Sequence, residues 1–214
     1  MTNGHGKRAT PDHGNRHDRF PLPGPPPQAG EGGDGLLRKF HAIELILGGA
    51  RSGKSALAEK LALDSGLAVS YIATATAGDA EMAQRIAHHR ARRPAAWQLA
   101  EEPVHLAAVL RASAAPDRCL VVDCLTLWLN NLLAAADETL LRSEREALLQ
   151  TLPGLPGRIL LVSNEVGMGI VPLGELSRRF CDEAGRLHQD LAQVCDRVVF
   201  VAAGLPLVLK GNPL

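Results

Sequence analysis

Gly48-Gly49-Ala50-Arg51-Ser52-Gly53-Lys54-Ser55 fits G-x-x-x-x-G-K-[ST], the pattern of a phosphate-binding P-loop, and its flanks are the ones such a loop requires. Upstream, Ile43-Glu44-Leu45-Ile46-Leu47 predicts a short buried strand. Downstream, Ala56-Leu57-Ala58-Glu59-Lys60-Leu61-Ala62 predicts a helix made of strong helix formers. Between them the glycines let the backbone curl with its N–H groups converging, and the helix N-terminus adds partial positive charge. Lys54 is placed to reach the β- and γ-phosphates, its ammonium expected to face solvent until nucleotide arrives, and the Ser55 hydroxyl to ligate Mg2+. Strand, loop and helix together read as a triphosphate site rather than a chance glycine-rich turn.

Outward from that loop the chain alternates apolar runs with helical patterns, the mark of a parallel sheet flanked by helices. Strands are predicted at 43–47, 68–73, 120–123, 158–163, 197–201 and in a last short run near 207–209. Helices are predicted at 55–64, 79–93, 104–112, 125–135, 138–151 and 173–194. The expected fold is therefore α/β and P-loop NTPase-like: a mostly parallel sheet flanked by helices, in a single domain over 41–214. Ligands of such sheets bind beyond the carboxyl ends of the strands. Residues 1–40 are different material. They are Pro/Gly-rich, as in Pro21-Leu22-Pro23-Gly24-Pro25-Pro26-Pro27, and hold too few apolar groups to offset their ordering entropy, so a disordered extension is expected. With no apolar h-region, a secretory signal is not expected there.

Composition narrows the function classes. A formal net charge of +0 provides no field that favours nucleic acid or an anionic membrane, and 3% aromatic residues leave little for base stacking. Cys119, Cys124, Cys181 and Cys195 form no C-x-x-C pair and no zinc-ligand spacing, which suits reduced thiols in a cytoplasmic protein. No apolar run reaches spanning length, since Val198-Val199-Phe200-Val201-Ala202-Ala203 stops at Gly204.

Several strand ends carry chemistry. Cys119-Leu120-Val121-Val122 closes on Asp123, a Walker B pattern in which the carboxylate holds Mg2+ directly or through water, in preference to capping the next helix. Thr74-Ala75-Thr76-Ala77-Gly78 follows another strand, where small hydroxyl residues let a nucleotide approach the backbone or make an ordinary turn. In the helix predicted at 79–93, Arg85, His89, Arg92 and Arg93 share a face with Met82 and Ile86, and His88 turns away. Spacing alone leaves that face equally a phosphate contact or a solvated basic surface with His89 against the core. Asn164-Glu165 lacks the Lys of N-K-x-D, and Asp123-Cys124-Leu125-Thr126 is not D-x-x-G, which counts against a GTP-dependent switch. Glu101 and Glu102 either read a base or merely precede a helix.

The P-loop, Tyr71-Ile72-Ala73-Thr74, Arg85-Ile86-x-x-His89-Arg90, Arg93-Pro94 with Trp97, Asp123-Cys124-Leu125-Thr126 and Asn164-Glu165-Val166-Gly167-Met168-Gly169-Ile170-Val171-Pro172 occur in this order. Together they resemble the bifunctional adenosylcobinamide kinase/adenosylcobinamide-phosphate guanylyltransferases of cobalamin biosynthesis, from about Ile43 to Gly211. The resemblance implies two reactions. The hydroxyl of the aminopropanol arm of adenosylcobinamide is phosphorylated with ATP or GTP, and GMP then passes from GTP to adenosylcobinamide phosphate. It implies that the second reaction runs through a guanylylated histidine, His89. It implies nucleotide contacts at Gly48, Gly49, Ala50, Arg51, Ser52, Gly53, Lys54, Ser55, Ala73, Thr74, Ala75, Arg90, Ala91, Arg92, Arg93, Glu101 and Asp123. It implies Mg2+ at Ser55 and Asp123 through the nucleotide, and a homotrimer. Asp123 and Glu165 both remain candidates for the base of the alcohol phosphorylation. The alternatives are a P-loop kinase of another small alcohol, with His89 only structural, and a nucleotide-dependent switch with no small-molecule substrate.

Overall fold

The computed structural model describes Met1, residues 42–76 and residues 94–214. Apart from Met1, the expected extension lies outside the described residues. So does the whole of the predicted helix at 79–93 that carries His88, His89, Arg90, Ala91, Arg92 and Arg93.

Seven strands form one sheet: β1 (Ala42–Gly48), β2 (Ala68–Ala73), β3 (Gln98–Glu101), β4 (Arg118–Asp123), β5 (Arg158–Asn164), β6 (Arg197–Ala202) and β7 (Leu205–Lys210). Their order across the sheet is β3-β2-β4-β5-β1-β6-β7, and every pairing is parallel except β6 with β7. The central strands read as nearly unbroken apolar runs because both of their faces are covered. On one face α1 (Lys54–Asp64) lays Ala58 and Ala62 over Ile46, Val121, Val162 and Val199. On the other, α2 (Leu106–Ser113), α3 (Leu125–Ala134), α4 (Glu138–Thr151) and α5 (Glu175–Val194) cover Leu45, Leu47, Ile159 and Leu161. In α5 the buried residues are Ala184, Leu187, His188 and Leu191, a stripe at helical spacing with one imidazole in it.

The α/β architecture expected from the alternation is the one observed, with two differences of detail. β3 has no apolar period to betray it: Gln98, Leu99 and Glu101 are exposed on this edge strand, and only pairing with β2 defines it. The helix expected from 104 starts at Leu106, because the Glu102 carboxylate accepts from the Val104 and His105 N–H groups (2.9 and 2.8 Å) and holds the chain before its first turn. The final hairpin turns on Ala203 and Gly204, both with positive φ (52° and 78°), the combination that a two-residue turn between twisted strands demands. No described helix is long and apolar enough to cross a membrane.

At the amino ends of the strands Glu44 is buried between two arginines. Its Oε1 accepts from Arg158 (Nε 2.8 Å, Nη2 2.7 Å) and its Oε2 from Arg197 (Nε 2.8 Å, Nη2 2.5 Å). This cluster clamps β1, β5 and β6 together at the end of the sheet opposite the P-loop.

Candidate nucleotide site at the carboxyl edge of the sheet

The P-loop runs from the end of β1 to the start of α1, and two of its glycines are required by contact. A Cβ on Gly48 would lie 2.4 Å from the Val201 carbonyl oxygen and 2.5 Å from Ser52 Oγ. Gly53 has φ +101°, and its Cβ would meet Gly204 Cα at 3.2 Å. Arg51, at the loop apex, takes φ 57° without being glycine, a conformation that costs about 1 kcal/mol and is tolerated where the surroundings enforce it. Those surroundings are visible: Gly204 N–H donates to the Ser52 carbonyl (2.8 Å), so the β6–β7 hairpin braces the loop. From the other side Glu165 N–H donates to the Gly48 carbonyl at 3.0 Å.

Lys54 corrects one expectation. Its side chain is buried rather than solvent-facing, and Nζ donates to the Gly49 carbonyl at 3.1 Å. Burial lowers its pKa below the ordinary lysine value, and the neighbouring Asp123 opposes that shift. The ammonium is therefore partly stripped of water in advance and parked against its own loop, ready to exchange a carbonyl for a phosphate. Ser52 Oγ is buried with no hydrogen-bond partner among the described residues, and nothing lies within 4 Å of a Cβ built on Gly49. An orphan hydroxyl beside an open glycine fits an anion that supplies the missing partner.

Asp123 ends β4 in register with Ala73 of β2, which in turn pairs with Glu101 of β3. The residues expected at 48–55, 73–75, 101 and 123 thus share the carboxyl edge of the sheet. Asp123 Oδ2 accepts from Tyr71 Oη at 2.6 Å, and the Tyr71 ring stacks on Trp97 with centroids 6.3 Å apart. Ser55 and Asp123 offer hard oxygen donors, the set that Mg2+ prefers, so the residues present fit the ion. No group of three or more His, Cys, Asp or Glu that could hold a metal alone occurs among the described residues. Thr74 is fully buried and straps β2 to β4: Oγ1 donates to the Cys124 carbonyl (2.7 Å) and accepts from the Cys124 N–H (3.0 Å). Asn131 Nδ2 donates to the Thr74 carbonyl at 2.8 Å, which fixes the turn that follows. Glu101 is exposed, whereas Glu102 is committed to the start of α2.

Asn164 and Glu165, which the sequence had singled out, have at this edge partners that residue patterns did not disclose. Asn164 Nδ2 donates to Thr126 Oγ1 (2.8 Å), and Ser163 Oγ lies 2.8 Å from His188 Nε2. His188 Nδ1 is 3.8 Å from Glu165 Oε2, and Glu165 Oε1 accepts from Gly167 N–H at 2.5 Å. For His188 the sequence signal was its place inside an apolar helical stripe, which a core position explains equally well.

Residues 44–209 match the model of the family described as cobinamide kinase / cobinamide phosphate guanyltransferase. The chain is 68% identical over 171 residues to the bifunctional adenosylcobalamin biosynthesis protein CobP of Pseudomonas aeruginosa strain PAO1, covering 80% of this chain and 99% of that one. It is 42% identical over 179 residues to the bifunctional adenosylcobalamin biosynthesis protein CobU of Salmonella typhimurium strain LT2, covering 78% and 98%. Among solved structures, the Pyrococcus horikoshii OT3 protein of project PH0250 overlays with a TM-score of 0.50 at 10% identity, over 81% of this chain and 88% of that one, a likeness of fold alone. With most of its length inside the family model and two such relatives, the chain belongs to the cobinamide kinase / cobinamide phosphate guanyltransferase family.

Proposed function

We propose that this chain phosphorylates adenosylcobinamide with ATP or GTP and then transfers GMP from GTP to adenosylcobinamide phosphate by way of a guanylylated His89, in the cytoplasm. The observation that carries the reading is that the segment matched to the family holds a P-loop whose desolvated Lys54 lies within electrostatic reach of Asp123. Backbone N–H groups of 48–55 and Lys54 bind the phosphates, and the Ser52 hydroxyl gains the partner it lacks. Ser55 and Asp123 would hold Mg2+, which when bound offsets charge on the phosphates. Tyr71 keeps the Asp123 carboxylate oriented.

In the nucleotidyl step, neutral His89 is the nucleophile. Its nitrogen bonds to the α-phosphorus of GTP as the α–β bridging bond breaks, and the electron pair leaves on pyrophosphate. The phosphate of the substrate then attacks the same phosphorus and displaces the imidazole. Arg90, Arg92 and Arg93 supply positive charge along the same sequence stretch, and Ala73 through Ala75 and Glu101 line the nucleotide. Exposed Met168, Ile170, Val171 and Leu173 support assembly of copies of this chain, here taken to be a homotrimer, because contiguous exposed apolar surface marks an interaction site.

Incubation with Mg2+ and GTP labelled at the α-phosphate tests the reading. Acid-labile, base-stable label should appear on wild type, little on His89→Ala, and a near-normal amount on His88→Ala. Wild-type protein that stays unlabelled, or a His89→Ala variant labelled like wild type, refutes the histidine route.

A further inference from the structure

Ser163 lies in β5 and Glu165 just past its end, where the Glu165 N–H bond to the Gly48 carbonyl continues the ladder, and both side chains meet His188 of α5. Its ring is buried, with Nε2 2.8 Å from Ser163 Oγ and Nδ1 3.8 Å from Glu165 Oε2. Ser163 is fully buried, whereas the Glu165 side chain keeps 22% exposure, so the array opens to solvent only at its carboxylate end. That end adjoins the phosphate cradle through the Glu165 N–H to Gly48 carbonyl bond.

We propose that Glu165 is the general base of the alcohol phosphorylation and that His188 is its positioning residue, with Ser163 fixing the imidazole. This rests on the kinase half of the function proposed above. The hydrogen-bonding inventory sets the orientation. A carboxylate only accepts, so in this arrangement the neutral ring presents its Nδ1 proton to Glu165 across 3.8 Å, an electrostatic contact longer than a hydrogen bond, and Nε2 accepts from the Ser163 hydroxyl. The Gly167 N–H holds Oε1, and His188 approaches Oε2 from the core side. One carboxylate oxygen is thereby fixed by a hydrogen bond, the other faces the imidazole, and the backbone of the same residue is bonded to the cradle. In the reaction the substrate hydroxyl oxygen bonds to the γ-phosphorus, and its proton passes to Glu165. The γ–β bridging bond breaks, and its electron pair leaves on the nucleoside diphosphate. Asp123 is the less suitable base, because Tyr71 occupies its Oδ2 and Lys54 stands beside it.

The test measures cobinamide phosphorylation with γ-labelled ATP in the full chain, alongside His89 labelling from GTP. Glu165→Gln should lower the kinase kcat about 100-fold or more, the usual contribution of a base. An asparagine amide can stand in for Nδ1 and a glutamine amide for Nε2. His188→Gln should therefore lower kcat between about ten- and 100-fold with KM within about two-fold, and His188→Asn should restore it to within about three-fold of wild type. In each impaired variant the kinase loss should exceed any loss of labelling by about ten-fold. Should His188→Gln fail to fold, Glu165→Gln still decides the assignment of the base. A wild-type chain that leaves cobinamide unphosphorylated overturns the kinase reading and this proposal with it. Wild-type activity with an unimpaired Glu165→Gln, or with equal losses in His188→Gln and His188→Asn, overturns this proposal alone.

Discussion

Removing the buried Glu44 carboxylate should weaken the fold heavily while sparing the chemistry. In Glu44→Ala, Arg158 and Arg197 lose their shared acceptor, although their side chains keep only 18% and 17% exposure. Breaking a buried ion pair by deleting one partner costs about 3–5 kcal/mol, because charge is left behind without compensation. Here each arginine retains a carbonyl, Leu61 for one and Pro213 for the other, both at 3.0 Å, which places the cost near about 3 kcal/mol. For a domain of this size that is a fall of about 6–12 °C in Tm. Urea unfolding should show a lower midpoint at unchanged slope. Glu44→Gln keeps the shape without the charge and should lose less. The triple replacement Glu44→Leu, Arg158→Met, Arg197→Leu should return to within about 1 kcal/mol of wild type, since apolar packing removes the need for compensation. The cluster lies at the amino ends of the strands, so GTP labelling per folded chain should stay at the wild-type level. A Glu44→Ala cost below about 1 kcal/mol, as an exposed ion pair would give, refutes the argument.

Tyr71→Phe deletes a donor to a carboxylate without opening a cavity, and should cost about 1.5–3 kcal/mol in urea unfolding; a change below about 0.5 kcal/mol would show that the 2.6 Å contact stabilises nothing. Burial pushes the Cys119 thiol up to about 11 and the Cys195 thiol up to about 12, and raises that of Cys124, so a thiol-specific disulfide reagent should titrate only Cys181 quickly in native protein and all four cysteines in denaturant. Rapid native reaction of more than one thiol would contradict the packing. Burial also lowers the pKa of His188, with Glu165 opposing. Below the ordinary imidazole value of about 6.5 the unfolded chain therefore binds a proton that the folded chain refuses, and stability falls as pH falls until the folded ring titrates. Between pH 7.5 and 5.5 wild type should lose more unfolding free energy than His188→Asn; equal losses would mean that the ring is not desolvated.

What could be read from the sequence was what short segments determine by themselves. The strand, glycine loop and helix around Lys54 follow from local pattern, and so do the apolar runs at Arg118–Asp123 and Arg158–Asn164. β3 was invisible because its four residues owe their conformation to β2 and bury almost nothing. The site divides in the same way. Gly48, Lys54, Ser55 and Asp123 declare themselves by spacing. The Tyr71 bond to Asp123 spans 52 residues and the His188 bond to Ser163 spans 25, and no periodicity reports such partners. Lys54 was misjudged for a related reason: its ammonium folds back onto the Gly49 carbonyl of its own loop and is buried there, which the motif does not report.

Asp123 and Glu165 both stand at the carboxyl edge of adjacent strands, yet they leave the sheet on opposite faces. Asp123 pairs with Val162, whose side chain packs beneath α1, and it shares that face with Tyr71. Glu165 follows the parity of Ser163, whose hydroxyl meets His188 of α5 on the other face. Two carboxylates side by side on one face would repel and compete for the same cation. Carried on opposite faces of adjacent strands, they are free to differ. The one beside Lys54 sits among phosphate-binding groups and suits a metal ion. The one backed by an imidazole suits a proton. A P-loop needs only the first of these to bind a nucleotide. An enzyme that must also take a proton from an alcohol has a use for the second, and the turn Glu165-Val166-Gly167, held by its own carboxylate at 2.5 Å, keeps that group at the carboxyl edge of the sheet.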